Sequence, residues 1–288
     1  MNEYLICIDA SCDAIPSVAQ NKQILFLPMP YTIDDETFFC KGTESDEELE
    51  DFYLQVKTGK MPTTSQIPPF EFEEAVSPYL EKGVSVLYLC LSGSLSSTYQ
   101  SALTAKRNLK EKYPNADFIP VDSKLATGGI GVLLDRAIVN KKNGLCLEEN
   151  AADLSKFIEK IAVYGFVFDL SHLKRGGRIG AATAMIGAML NIKPVLKITP
   201  AGSLEVFDKQ RGDKKAMQKL LDLYKNQANM QSDLSVYITE SNNSEAAEYF
   251  AAAIQSVNPN AKIIVKRLTP IIGAHLGAGS IVIAFEKN

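Results

Sequence analysis

The sequence is poor in histidine and has no paired cysteines, and these shortages exclude several common kinds of site. His172 and His275 are the only histidines in 288 residues, so a histidine-rich zinc site is excluded and no metal site is predicted. The five cysteines are scattered and include no C-x-x-C pair. Cys7 and Cys90 lie in apolar runs of strand length, which indicates buried thiols.

The sequence also has neither an excess of positive charge nor a long apolar run. A net charge of −4 provides no overall attraction to nucleic acid, so no nucleic-acid partner is expected. No stretch reaches 18 consecutive apolar residues, and we therefore expect no transmembrane helix. The first residues, MNEYLICIDASCD, lack the basic and apolar blocks of a signal peptide, which predicts a cytoplasmic protein.

The sequence does contain a regular alternation of strand-like and helix-like segments. Apolar runs such as Tyr4–Ile8, Ile24–Met29 and Val84–Cys90 have the length of buried strands. Ser45 and Glu48 have the spacing of a capping box, which predicts the start of a helix between them. The alternation predicts an α/β fold whose first domain, residues 1–160, has a mostly parallel sheet flanked by helices.

A second α/β domain is predicted over residues 161–288. Two apolar segments flank the turn Pro200-Ala201-Gly202, and this pattern predicts a β-hairpin. A loop is predicted over Ser171–Arg178. Further strands alternate with helices such as Asp213–Asn226 and Ser244–Val257, so we expect a mixed sheet with helices.

Two clusters of hydroxyl side chains are the most informative feature of the chain. Thr63-Thr64-Ser65-Gln66 is the first, and the run Ser92–Thr98, between a predicted strand and a predicted helix, is the second. The first N–H groups of a helix lack partners, the helix dipole favours negative charge, and hydroxyls donate further hydrogen bonds. The second cluster therefore predicts an anion site, and its alternative is a simple helix cap.

Two glycine-containing segments are further candidates for ligand contacts. Thr127–Gly131 connects a predicted strand to a helix, but the sequence has neither G-x-x-x-x-G-K-[ST] nor G-x-G-x-x-G, so a nucleotide site is not favoured. Its glycines can instead permit close packing of helix on strand. His275 lies between glycines, which leaves its imidazole accessible to a ligand; a structural role is the alternative.

Five short segments carry a family resemblance that spans nearly the whole chain. They are Thr64-Ser65-Gln66, Leu95–Ala102, Val121-Asp122-Ser123, Leu173–Arg178 and His275–Gly279. In this order they resemble the motifs of the DegV family of bacterial lipid-binding proteins. The sequence departs from the family pattern at Ala10, Gly93, Ser97 and Ala278. None of these departures removes Thr64, Ser96 or His275.

The resemblance implies a protein that binds a long-chain fatty acid at the interface of its two domains. It implies a carrier with no catalytic activity and no cofactor, whose partner is the catalytic subunit of a fatty acid kinase. The carrier would present the carboxylate for acyl phosphate formation, which feeds phospholipid synthesis. The apolar segment Ala181–Leu190 is then either a wall of the acyl tunnel or an ordinary buried helix.

The residues implied to bind the fatty-acid carboxylate are Thr64, Ser65, Ser96, Ser97, Arg178 and His275. Hydroxyls and an imidazole donate hydrogen bonds to a carboxylate without burying a full countercharge. Arg178 either assists by its charge or fixes its own loop.

A basic cluster is the candidate surface for kinase docking. Lys209, Arg211 and Lys214 lie around the start of the predicted helix Asp213–Asn226, where positive charge opposes the helix dipole. Such a local conflict is typical of functional sites, and a solvated basic face is the alternative.

The competing function is a serine hydrolase or acyltransferase that uses Ser96 and His275. The sequence has no G-x-S-x-G elbow, and no carboxylate is obviously placed to orient the histidine.

Overall fold

The computed structural model describes residues 3–13, 24–168, 170–179 and 191–288. In chain order the strands are β1 (Tyr4–Asp9), β2 (Ile24–Leu27), β3 (Met29–Ile33), β4 (Glu36–Cys40), β5 (Thr63–Thr64), β6 (Ser85–Cys90), β7 (Phe118–Asp122), β8 (Ile161–Phe166), β9 (Ile192–Ile198), β10 (Leu204–Arg211), β11 (Val236–Glu240), β12 (Ile263–Arg267) and β13 (Ile281–Glu286). The helices are α1 (Asp46–Lys57), α2 (Pro69–Leu80), α3 (Thr98–Lys112), α4 (Gly128–Lys142), α5 (Leu147–Phe157), α6 (Ser171–Gly176), α7 (Asp213–Gln227), α8 (Ser244–Val257) and α9 (Pro270–Leu276). The predicted helix Ala181–Leu190 lies outside the described residues.

The first sheet is four-stranded and parallel, in the order β2-β1-β6-β7. Helices α2 and α3 pack on one face and α4 and α5 on the other. Every residue of β6 is buried, as expected for a strand covered on both faces. The predicted parallel sheet flanked by helices is confirmed. The segments that follow β6 and β7 meet at its carboxyl edge, where α/β proteins place their ligands.

The second sheet has six strands, in the order β10-β9-β8-β13-β11-β12. Its pairs are antiparallel except for β11 and β12, which confirms the predicted mixed sheet and the predicted hairpin of β9 and β10. Helices α7 and α8 cover its outer face through a core that includes Phe166, Leu220 and Phe250.

Helix α4 lies between the two sheets, in contact with β6 on one side and with β8, β11 and β13 on the other. Its glycines permit this, because a Cβ atom at Gly131 would lie 2.8 Å from the Tyr237 ring. The close helix-to-strand packing considered for this segment is therefore confirmed. The domain boundary after residue 160 falls directly before β8, but it stays a prediction because both sheets share α4.

A third, small antiparallel sheet, β4-β3-β5, was not predicted. The segment expected to be one strand, Ile24–Met29, is divided at Pro28, which lacks the N–H group that a continued ladder needs. Strand β3 then pairs with β5 through Tyr31 and Thr64, and α9 contacts both strands, which places the first hydroxyl cluster beside the second half of the chain.

One short helix replaces a predicted loop, and a second short helix was not predicted. Helix α6 covers most of the segment expected to be a loop before Arg178, and it ends at Gly177, whose φ of 67° is left-handed. Helix α9 begins at Pro270 and carries His275 in its last turn. Both are too short to show a helical period in the sequence.

Candidate functional site

A cavity lies between the inner face of the mixed sheet and the loops at the carboxyl edge of the parallel sheet. Leu91 and Leu95, which follow β6, line one side, and Ala126, which precedes α4, lines it further. Strands β8, β9 and β13 form the opposite wall. The site therefore combines segments from both halves of the chain.

The cavity has an apolar wall and a polar end. The wall includes the buried side chains of Val163, Val167, Leu196 and Val282. The polar lining contains all six predicted carboxylate-binding residues, which are Thr64, Ser65, Ser96, Ser97, Arg178 and His275. Ser65 and Ser97 are exposed, so this end of the cavity reaches solvent.

The hydroxyl run Ser92–Thr98 folds as a tight turn that leads into α3. The Ser96 N–H donates to the Ser92 carbonyl oxygen at 3.1 Å. The Ser96 hydroxyl oxygen accepts a hydrogen bond from the Thr98 N–H at 3.2 Å and lies 2.9 Å from the Thr98 hydroxyl. Ser96 thus supports the start of the helix and also lines the cavity, so both sequence interpretations of the run apply to it.

The first two serines of the run have a different role from Ser96. The Ser92 hydroxyl donates to the Gly202 carbonyl at 2.8 Å, and the Ser94 hydroxyl donates to the Ala201 carbonyl at 2.7 Å. Both acceptors lie in the turn between β9 and β10. These serines join the parallel-sheet half to the hairpin of the other half.

Thr64 and His275 form the centre of the polar end. The Thr64 hydroxyl oxygen lies 2.9 Å from His275 Nε2, although 211 positions separate the two residues. Strand β5 supplies the threonine and α9 supplies the histidine. The backbone of Gly176 lies against the Nδ1 side of the ring.

His275 is neutral at physiological pH. Burial is the largest cause that lowers the pKa of His275 from 6.5 to about 4, and the charges of Arg178 and His172 act in the same direction. A neutral imidazole has one donor and one acceptor nitrogen. The site can therefore exchange hydrogen bonds with a ligand without a charged histidine.

Arg178 fixes two backbone segments of the site. Its Nε donates to the Leu95 carbonyl at 3.2 Å, and its Nη1 donates to the Gly176 carbonyl. Of the two roles considered for Arg178, the geometry shows loop fixation. Its positive charge also contributes to the lowered pKa of His275.

The arrangement does not assemble the pair that a serine hydrolase needs. His275 Nε2 is bonded to Thr64, while the Ser96 hydroxyl is bonded to Thr98. Among the described residues, the hydrogen-bond partner of His275 is the Thr64 hydroxyl and not a carboxylate that would orient the imidazole.

The predicted docking residues lie apart from the cavity. Lys209 and Arg211 are exposed on β10, which is an edge strand, and Lys214 is exposed in the first turn of α7. Leu204 at the start of β10 lines the cavity, and Arg211 follows it at roughly 20 Å along the strand.

Sequence reasoning missed the apolar wall and the cross-chain role of Ser92 and Ser94. The wall residues belong to strands such as β8, whose apolar run predicts a core strand and gives no sign of a cavity. In the described ranges, no group of three or more His, Cys, Asp or Glu side chains could hold a metal ion. No helix among those residues combines the length and apolarity needed to cross a bilayer.

The fold and the site together define a two-part α/β protein that encloses an apolar cavity with a polar end. The chain belongs to the DegV family, because the model of that family of uncharacterised proteins matches residues 3–288. A DegV domain-containing protein of Clostridium perfringens is 35% identical over 285 residues, which cover 99% of this chain and 98% of the relative.

Solved structures of DegV proteins share the fold. A fatty-acid-binding DegV family protein from Thermus thermophilus has a TM-score of 0.86 and 27% identity, with 99% of each chain covered. The fatty acid kinase B3 protein of Streptococcus pneumoniae, loaded with linoleic acid, has a TM-score of 0.87 over 99% of this chain and 100% of that chain. At 21% identity, the second likeness shows the shared fold.

Proposed function

We propose that this protein binds a long-chain fatty acid in the cavity between its two halves. The observation that carries the proposal is the cavity itself, which has an apolar wall of strand residues and a solvent-reaching end with hydroxyls, an imidazole and a guanidinium. This polarity matches a molecule with an apolar tail and an anionic head. Family members with solved structures bind fatty acids, which supports the same ligand class here.

The polar end suits a carboxylate. A carboxylate taken out of water needs hydrogen-bond donors. If the neutral His275 ring carries its proton on Nε2, it donates to the Thr64 oxygen, and the threonine proton is then free for the ligand. Arg178 adds positive charge, while Nε and Nη1 of its guanidinium are held by backbone carbonyls. Ser65, Ser96 and Ser97 complete the proposed set of donors.

The apolar wall suits the acyl tail. Burial of a tail of about 14 methylenes contributes on the order of 11 kcal/mol. Association costs of about 4–15 kcal/mol offset much of this gain, so tight binding requires a preformed cavity. The strands that form the wall are held in a six-stranded sheet, which provides such rigidity.

Mass spectrometry of an organic extract of the purified protein tests the proposed ligand. We expect a stoichiometric long-chain fatty acid in the extract and a strongly reduced amount from a Thr64→Ala, His275→Ala double variant. The Thr104→Ala variant on α3, at a half-buried residue that does not line the cavity, is the matched control and should retain the ligand. An extract with no fatty acid, together with no uptake of added fatty acid, would refute the proposal.

We further propose that the protein presents the carboxylate to a partner kinase for acyl phosphate formation and thereby serves phospholipid synthesis. On this proposal it acts as a carrier and not as a catalyst. The exposed Lys209, Arg211 and Lys214 would contact the kinase. The roughly 20 Å along β10 between Arg211 and the cavity-lining Leu204 fits within one protein interface of about 800 Å² per partner.

An Arg211→Ala variant tests the docking surface. We expect its kinase-dependent acyl phosphate formation to need about tenfold more carrier for half-maximal rate, because an arginine in an interface contributes both charge and contacts. Fatty-acid binding should not change. Arg107→Ala, an exposed arginine on α3, is the matched control. Loss of both properties, or of neither, would contradict a docking role for Arg211.

A further inference from the structure

Two serine side chains hydrogen-bond the turn between β9 and β10 to the other half of the molecule. Ser92 and Ser94 donate to adjacent carbonyls of this turn, on Gly202 and Ala201. Ser92 is fully buried, and its own N–H donates to the Leu125 carbonyl at 2.9 Å, so the serine is held firmly in its half. The two hydrogen bonds connect the β9–β10 turn to the segment between β6 and α3.

The β9–β10 turn packs closely against Ser92 and Lys124. Gly202 has a φ of 82°, and a Cβ atom there would collide with the Ser92 hydroxyl and lie 3.0 Å from Lys124 Cα. The turn is also closed internally, since the Gly202 N–H donates to the Thr199 carbonyl at 2.8 Å. The positive φ that closes the turn and the close contact with Ser92 therefore both require glycine at position 202.

The fastened hairpin is part of the cavity wall. Leu196 and Ile198 of β9 and Leu204 of β10 line the cavity. β10 is the edge strand of its sheet, so the hairpin can move outward with fewer broken strand contacts than an inner pair. Ser92 and Ser94 are not among the described lining residues, so their bonds close the wall without contacting a ligand.

We propose that Ser92 and Ser94 form a latch on the β9–β10 turn, and that release of this latch controls how fast an acyl chain enters and leaves the cavity. This inference rests on the proposed fatty-acid function. Because the latch bonds lie outside the cavity, weakening them raises the opening frequency and leaves the contacts of the bound ligand in place. Association and dissociation rates then rise together, and the equilibrium affinity changes little.

Stopped-flow kinetics with cis-parinaric acid, a fluorescent 18-carbon fatty acid, test the latch. We expect Ser94→Ala and Ser92→Ala to raise both rate constants roughly two- to tenfold, as for the loss of one neutral hydrogen bond. Gly202→Ala should have the larger effect because its side chain pushes directly on Ser92. Ser203→Ala is the matched control, since its hydroxyl pairs with Thr199 inside the same turn at 2.7 Å.

Amide hydrogen exchange of the ligand-free protein provides the second measurement. The Leu95 and Gly202 amides should exchange faster in Ser94→Ala and Ser92→Ala than in the wild type and in Ser203→Ala. Folded latch variants with wild-type rate constants, or with faster exchange but unchanged ligand release, would overturn the latch. A loss of affinity without faster association would also overturn it. Wild-type protein that never binds the probe refutes the proposed function instead, and that result is separate because exchange needs no ligand.

Discussion

The two ends of the cavity are built in opposite ways. The polar end is assembled from a two-residue strand, a turn and two short helices, and its central pair, Thr64 and His275, is 211 positions apart in sequence. The apolar wall is made of neighbouring strands in one sheet. For the proposed fatty-acid ligand, recognition of the head group thus depends on a few individual contacts, whereas recognition of the tail depends on buried area and volume.

The largest expected effect comes from removing the central pair of the polar end. A Thr64→Ala, His275→Ala double variant should bind fatty acids about 100-fold more weakly, because it removes the hydrogen bond from Thr64 to the charged head group, which contributes about 1.5–3 kcal/mol, together with the imidazole that orients it. The loss should be the same for all chain lengths, and displacement titrations with saturated fatty acids of 12 to 18 carbons, about a 1.5-fold range of apolar area, measure it. A loss that grows with chain length would contradict the separation between the two ends.

A smaller effect is expected from filling the apolar wall. Ile198 is half-buried and lines the cavity, so Ile198→Trp should exclude about two methylenes and weaken binding of the longest chains about tenfold, at about 0.8 kcal/mol per methylene. Short chains should bind as before. The new tryptophan reports binding by fluorescence, since the chain has none. Ile198→Val is the control, and equal weakening of short and long chains would contradict the expectation.

The smallest expected effect is a shift in the titration of His275. Its NMR signals should move with a midpoint about 4, and Arg178→Met should raise the midpoint because a neighbouring positive charge is lost. The pKa of the folded state lies below the ordinary 6.5, so the contribution of the neutral ring to stability is fully present above that pH and is lost as pH falls toward 4. A His172→Gln variant assigns the signals of the only two histidines. An unchanged midpoint in Arg178→Met would contradict the proposed electrostatic influence of this arginine.

Much of the fold could be predicted from local patterns. Helix α8 spans the predicted Ser244–Val257, and the capping box of Ser45 and Glu48 is present at the start of α1. These signals are local, since a cap or an apolar period is decided within a few residues. Local patterns did not predict the helices α6 and α9 or the sheet β4-β3-β5, because these elements are short and are stabilised by contacts with residues far away in the sequence.

The six site residues could be named because a family resemblance marked them, and the structure brings them around one cavity. The different roles of the serines within the hydroxyl run could not be predicted from the sequence. Ser92, Ser94 and Ser96 are chemically alike and adjacent in sequence, yet the first two bind a turn more than 100 positions away. Only the partner of each hydroxyl distinguishes their roles.

Helix α4 has a consequence for how the protein is made. Both of its faces are covered, one by the parallel sheet and the other by the mixed sheet, so the helix belongs to the core of both halves. A fragment ending after residue 160 would emerge with the apolar residues of α4 facing water, and the remaining fragment would carry an uncovered sheet. The core around α4 is therefore complete only when β6, β8, β11 and β13 are all present, so the two halves are expected to fold as one unit.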